Sequence, residues 1–391
     1  MLERPTVPSS RPSSRPSAST TTRPMESLKP SALSEMHPKC GLSPEWDDWI
    51  GRYQSGMATE GKAHGNKQFT IETLSPASRK CVDLFLAPFY ELGDTMDKSE
   101  NVGVEVNVVH YAKATARLVL LQKALAPLPL NLYELPDRGD LVKLWEVAGA
   151  LKRQEMCRCF IGWHRCKEVV DQDIATNGFY GWKGDKVFEE RIYRFSRGHL
   201  PIYWISDANV AVAVAHLTMM YSVVKRNVSL GLHFEDDVLY DNAHTEPLER
   251  FVNVTIPQFL PVDTDVCMMC GTYGHPGMGP VGQPCSHWAF SEHLSAARLQ
   301  TEVVNEHVCY APTGKNSAGY AITSKGAWKL LESFQHVPVV HNIDWWFNYA
   351  FVFVDGLRGY WWGTSSFTQN AESLDSDKGS VAGHVDLGNS L

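Results

Sequence analysis

Apolar positions along the chain fall into short continuous runs separated by stretches with helical spacing. Residues 102–109 alternate and then become wholly apolar, and 130–135, 229–234 and 265–271 are further short apolar runs. Runs of this length, rich in Val and Leu, predict strands buried on both faces. Between them, 112–126 carries Leu118, Leu121 and Leu125 at helical spacing, and 208–224 is apolar almost all round. Helices are expected at both places and around 78–92. Strands alternating with helices predict an α/β fold built on a mostly parallel sheet with helices on both faces.

One polar group stands out against this pattern. Glu235, Asp236 and Asp237 directly follow the apolar run 229–234 and precede Val238 and Leu239. Three carboxylates are thus expected where a buried strand ends, the edge at which open α/β sheets bind ligands. Carboxylate oxygens suit hard divalent cations such as manganese or magnesium, and such an ion grips a diphosphate. Asp171/Asp173, Asp263/Asp265 and Asp375/Asp377 repeat the spacing, but none directly follows a long apolar run. Context, and not spacing, singles out 235–237.

With 391 residues, 43% of them hydrophobic, the chain can bury one large core or two modest ones. A net charge of -8 with no basic cluster argues against a nucleic-acid partner. No transmembrane segment or secretory signal is expected, because no apolar stretch is read as reaching the ~18 residues a bilayer requires. Residues 1–38, rich in Ser, Pro, Thr and Arg, predict a disordered leader. The cytoplasm is the favoured compartment, with an organellar transit peptide as the alternative reading of that leader.

Nine cysteines are too few and scattered for a disulfide framework, and are expected to be mostly reduced and buried. Cys267, Cys270, Cys285 and His287 could form a zinc site, as could Cys157, Cys159, His164 and Cys166. The first pair reads better as a strand entering a loop, the second cluster as a solvated helix. The sequons Asn227-Val228-Ser229 and Asn253-Val254-Thr255 matter only in a secretory compartment and read as chance matches.

Lys113 and Arg117 share a face of the first core helix, where they are either a solvated basic face or neighbours of a diphosphate. His216 on helix 208–224 reads by pattern as a satisfied core histidine. Residues 39–101, punctuated by Trp and Pro, form an extension packed on a main domain at 102–377. That domain carries an insert at 145–200 and a lid-like Gly/Pro-rich loop at 275–284, and ends in a tail, 378–391.

Several ordered blocks resemble glycosyltransferase family 25, the group of lipopolysaccharide and procollagen galactosyltransferases. Val109-His110-Tyr111-Ala112-Lys113-Ala114-Thr115-Ala116-Arg117 is similar to the family's Asn-Leu-x-Arg-x-x-x-Arg block, with His110 in place of Asn and Lys113 in place of the first Arg. Leu135-Pro136-Asp137-Arg138-Gly139-Asp140-Leu141 resembles loosely its Ala-Val-Asp-Gly segment. Val214-Ala215-His216 looks like its helix ending in Ser-His, and Glu235-Asp236-Asp237 matches its acidic motif. Residues 317–331 are similar to its Gly-Tyr-x-Ile-Ser block, and Asn342-Ile343-Asp344 falls at its Pro-Val-Asp position.

The resemblance implies a GT-A fold, a Rossmann-like sheet, and a manganese- or magnesium-dependent inverting transfer of a hexose. The donor would be a UDP-sugar carrying galactose or glucose, and the acceptor a hydroxyl of a glycan, protein or lipid-linked molecule. Asp236 and Asp237 are the implied metal ligands. His110, Lys113, Arg117, His216 and Glu235 would contact the nucleotide-sugar, Glu235 as a third ligand or a carboxylate facing the ribose. Asp344 is the candidate base for the acceptor hydroxyl, or else an amino-cap of its helix, with Trp345 and Trp346 beside it to stack on a sugar face. A catalytically inactive relative that binds a sugar or partner is the alternative.

Overall fold

A computed structural model describes residues 68–93, 103–111, 114–126, 128–134, 138–177, 204–240, 246–271, 302–310, 317–335, 337–339, 342–362 and 367–369. The leader, Lys113, Asp137, the loop 275–284, Cys285, His287 and Asp375/Asp377 lie outside the described residues. The chain divides into two compact units, 1–54 and 55–391, and every described residue belongs to the second.

The described helices are α1 (Pro76–Phe85), α2 (Ala87–Gly93), α3 (Thr115–Ala124), α4 (Arg138–Glu146), α5 (Ala150–Cys159), α6 (Lys167–Asn177), α7 (Asp207–Lys225), α8 (Leu248–Arg250), α9 (Ile256–Phe259), α10 (Ser324–Glu332) and α11 (Ile343–Phe353). A π-helical turn, Phe251–Thr255, joins α8 to α9. The strands are β1 (Val104–His110), β2 (Leu130–Glu134), β3 (Leu230–Glu235), β4 (Val238–Tyr240), β5 (Val266–Met268), β6 (Cys270–Gly271), β7 (Glu302–Val303), β8 (Val308–Tyr310), β9 (Gly319–Thr323), β10 (Gly359–Trp362) and β11 (Phe367–Gln369).

Eight strands form one sheet in the order β2-β1-β3-β9-β5-β10-β8-β7, and β4-β11-β6 form a second. In the large sheet β2, β1, β3, β5, β10 and β7 run one way, while β9 and β8 run the other. The molecule is therefore α/β with a mixed sheet whose strands mostly share one direction. The apolar run at 265–271 divides: β5 lies in the large sheet and β6 in the small one, with Met269 between them. Helix 78–92 likewise breaks into α1 and α2.

Both faces of the sheet are covered. Val106 and Val108 of β1 pack with Leu121 and Leu125 beside α3 and with Phe251, Val252 and Ile256. Val109 points to the opposite face, against Ala215 and Met219 of α7. This follows from the two-residue alternation of a strand. Helix α7 starts at Ser206, whose hydroxyl accepts from the Asn209 amide, and places Asp207 in its first turn and Lys225 in its last, matching the helix dipole. At 19 residues it is long and apolar enough to cross a membrane, which the sequence reading did not anticipate, yet most of it is buried inside the fold. It is the central helix of the core. Gly231 lets β3 approach it, since a Cβ there would lie 2.6 Å from the Val223 side chain.

The cysteines depart from expectation. Those among the described residues are buried as predicted, but Cys81 pairs with Cys159 and Cys157 with Cys166. Cys309 is also disulfide-bonded. These two bridges staple α5 to α1 and to the turn His164–Cys166, and so close the second imagined zinc cluster with covalent bonds. Scatter along the chain hid this, because pairing depends on which Cα atoms the fold brings within about 6 Å. Among the described residues, Cys267 and Cys270 are buried and not disulfide-bonded.

Candidate functional site

Strands β1 and β3 are parallel neighbours, and their register sets Val109 opposite Glu235. His110 therefore ends β1 beside the point where β3 delivers its carboxylates. The two strands are fixed by their buried Val and Leu side chains, so the acids are held at the carboxyl edge of a rigid sheet and not on a loose loop. Asp236 and Asp237 form the turn that leads into β4 and are each only 7% exposed.

Asp236 is gripped from three sides. Its Oδ2 accepts from His110 Nδ1 at 2.9 Å and from the Tyr111 amide at 3.1 Å, and its Oδ1 accepts from Arg117 Nη1 at 3.2 Å. Arg117 sits in the first turn of α3, directly after the strand-to-helix connection. The first block of the sequence and the acidic triplet, more than a hundred residues apart, thus meet in one cluster. A buried carboxylate needs such partners, because an unpaired one would be strongly disfavoured.

Glu235 faces the other way. Its Oε1 accepts from Ser317 Oγ at 2.7 Å and lies 3.3 Å from His216 Nε2. Burial disfavours its charge, but the hydrogen bonds from His216 and Ser317 and the field of Arg117 prevail and hold its pKa below the ordinary carboxylate value. His216 Nδ1 is 3.1 Å from the hydroxyl of Tyr320, which is also 3.1 Å from His233 Nδ1. Burial and the neighbouring His216 push His233 well below the usual imidazole range, and burial together with Glu235 raises Tyr320 well above the usual phenol range. His233, Tyr320, His216 and Glu235 thus form one chain of hydrogen-bonding groups behind the acidic motif.

His216 is thus a fully buried histidine, as its pattern indicated, and at the same time a partner of the acidic motif. Tyr320, His233 and Ser317 complete the network and were not singled out from the sequence. Tyr320 and Ser317 lie in the quoted Gly-Tyr block, but strand alternation alone reads Tyr320 as core, and nothing in the chain marks His233 as its partner.

Asp344 stands on a separate helix. It is the second residue of α11 and half-buried, and Asn342 occupies the amino-cap position, so Asp344 is not the cap. Three residues on, Phe347 packs its ring 5.1 Å from Tyr320, which ties α11 to the network behind Glu235. The expected stacking role fails for Trp346: it is fully buried, and its Nε1 donates to the Val337 carbonyl. The apolar face of α11 needs it in the core.

The repeat spacing at Asp263 and Asp265 is a different construction. Asp265 is fully buried and accepts from Lys329 Nζ at 2.8 Å and from the Arg358 amide at 2.8 Å, while Asp263 pairs with Arg358 and accepts from the Tyr360 hydroxyl. Both precede β5 and lie at the amino end of a strand parallel to β3.

A scan against protein-family models returns no match, and a search of curated proteins returns no significant relative.

Proposed function

We propose that the chain is a metal-dependent inverting glycosyltransferase of GT-A type that moves galactose or glucose from a UDP-sugar to a hydroxyl of a glycan, protein or lipid-linked acceptor. The observation that carries this reading is the junction of Arg117, His110 and the 235–237 carboxylates at the carboxyl edge of β1 and β3. Positive charge from the first turn of a helix and oxygen ligands from a strand end converge there, the two features a nucleoside diphosphate with its cation requires.

The donor set fits manganese or magnesium, since hard ions take carboxylate oxygens and need only one or two from the protein when substrate phosphates supply the rest. Among the described residues no group of three or more His, Cys, Asp or Glu side chains forms a metal cage. Asp237 would hold the ion, with Asp236 beside it clamped in position by Arg117, His110 and the Tyr111 amide. Bound there, the ion supplies charge neutralisation for a departing diphosphate. Arg117 adds a second fixed cation. Glu235, its carboxylate kept charged and aimed by His216 and Ser317, would receive a ribose hydroxyl. Asp344 would take the proton of the acceptor hydroxyl, the one base an inverting displacement needs.

Calorimetric titration of the full chain with UDP, with and without manganese, tests this reading. Manganese-dependent binding is expected, weakened at least tenfold, about 1.4 kcal/mol, in Asp237→Asn. Asp344→Asn should leave that binding unchanged and lower turnover. Wild-type affinity in Asp237→Asn would sink the metal assignment, and no UDP binding under any condition would sink the function.

A further inference from the structure

The turn between α7 and β3 carries a modification signal that the disulfides place in a new light. Asn227 is exposed and adopts φ 52°, the left-handed conformation that follows many helix ends, and Asn accepts it more readily than most residues. Its amide closes the helix end by donating to the Val224 carbonyl at 3.2 Å. That accounts for Asn at 227 but not for the rest of the triad. Val228 is buried and anchors the turn, whereas Ser229 is exposed. Asn227 and Ser229 therefore face solvent together on a surface turn, the setting in which an Asn-x-Ser acceptor is used.

The second sequon is built differently. Asn253 lies within the π-helical turn, and the hydroxyl of its Thr255 is buried and donates to Glu246 Oε1 at 2.7 Å. Independent evidence bears on the compartment. Five of the seven described cysteines are disulfide-bonded, and such bridges form and persist in oxidising compartments. In that setting an exposed sequon is a substrate and no longer a coincidence.

We infer that the chain matures in an oxidising, glycan-transferring compartment and carries an N-linked glycan on the side-chain amide of Asn227. The transfer forms a glycosidic bond from the amide nitrogen of Asn227 to the first sugar of a lipid-diphosphate-linked oligosaccharide. The amide proton is lost and the lipid diphosphate leaves. Position makes the glycan compatible with the site described above. Asn227 precedes β3 and the carboxylates stand at its other end, so the length of the strand, about 17 Å for the steps from Leu230 to Glu235 at about 3.3 Å per residue, separates the glycan's turn from them. It would cover the amino edge of the sheet and leave the carboxyl edge open.

The test uses the full chain isolated from the cells that make it. Alkylation without reductant should leave Cys81, Cys157, Cys159, Cys166 and Cys309 unmodified. Peptide-N-glycosidase should increase electrophoretic mobility and deamidate Asn227, as read by peptide mass. Ser229→Ala, which removes the sequon while keeping Asn227 in its turn, should abolish the mobility shift without lowering the unfolding midpoint of the deglycosylated chain. Asn253→Gln should leave the shift intact. An unmodified Asn227 peptide, a shift that survives Ser229→Ala or disappears in Asn253→Gln, or ready alkylation of the bridged cysteines would overturn the inference.

Discussion

Two acidic segments flank parallel strands of the same sheet, and they are put to opposite uses. Asp263 and Asp265 precede β5, where Lys329, Arg358 and Tyr360 consume their charge. Glu235, Asp236 and Asp237 follow β3, at the other edge, among Arg117, His110 and His216. Around Asp265 everything closes inward. Thr323 hydrogen-bonds to the Thr264 carbonyl through its hydroxyl and to the Asp265 carbonyl through its amide, and a Cβ on Gly326 would lie 2.2 Å from the Asp265 oxygen. That segment is a joint between β5, α10 and β10. The partners of the 235–237 segment instead hold it at the carboxyl edge of the sheet, where open α/β sheets bind ligands. Equal spacing of carboxylates therefore says little until the strand end is known.

The largest effect expected from breaking this comparison is at the joint. Lys329→Met leaves the fully buried Asp265 without its cation, and removing one member of a buried pair typically costs about 3–5 kcal/mol. Lys329 also donates to the Gly356 carbonyl, so the same change loosens the turn before β10. Urea unfolding should show a loss of that size with UDP binding retained in the folded fraction. Arg117→Met at the other segment should cost less, about 1.5–3 kcal/mol for a hydrogen bond to a charged group, because His110 and the Tyr111 amide still hold Asp236. Its principal consequence should be weaker binding of UDP. A stability loss at Arg117 larger than at Lys329 would show that the two segments had been assigned the wrong roles.

Much of this was legible in the chain. The apolar runs located β1, β2, β3 and α7 to within about two residues; β1, β3 and α7 are buried almost throughout, whereas β2, expected to be buried on both faces, is a half-buried edge strand. The context of Glu235 to Asp237 marked the one acidic triplet that ends a strand. What stayed hidden depends on pairing across long distances. Nothing local in Gly319–Thr323 says that β9 enters antiparallel between β3 and β5, and no spacing rule joins Cys81 to Cys159. Asp236 looked like a bare ligand, yet its carboxylate accepts hydrogen bonds from His110, Tyr111 and Arg117, residues brought in by β1 and α3. His216 shows the limit from the other side. A buried helix histidine and a partner of the acidic motif are indistinguishable in sequence, and here one residue is both.

The smallest effect gives the sharpest contrast, because the two segments should respond to acid with opposite signs. Burial, outweighing Lys329, raises Asp265 above its ordinary value of 3.8, while Glu235 is held below its ordinary 4.5. A folded state that raises a carboxyl pKa binds more protons than the unfolded chain, so its contribution is complete below pH 3.8 and is lost as pH rises through the folded value. For Glu235 the contribution is present above pH 4.5 and is lost as pH falls through the folded value. Between pH 7 and pH 4, the stability of wild type relative to Asp265→Asn should therefore grow on acidification. Relative to Glu235→Gln it should shrink. Each change is a fraction of the effect at Lys329, and both can be read from unfolding curves at four or five pH values. Parallel pH dependences would mean that Glu235 is not held charged by His216 and Ser317, and with that its fitness to receive a ribose hydroxyl would be lost.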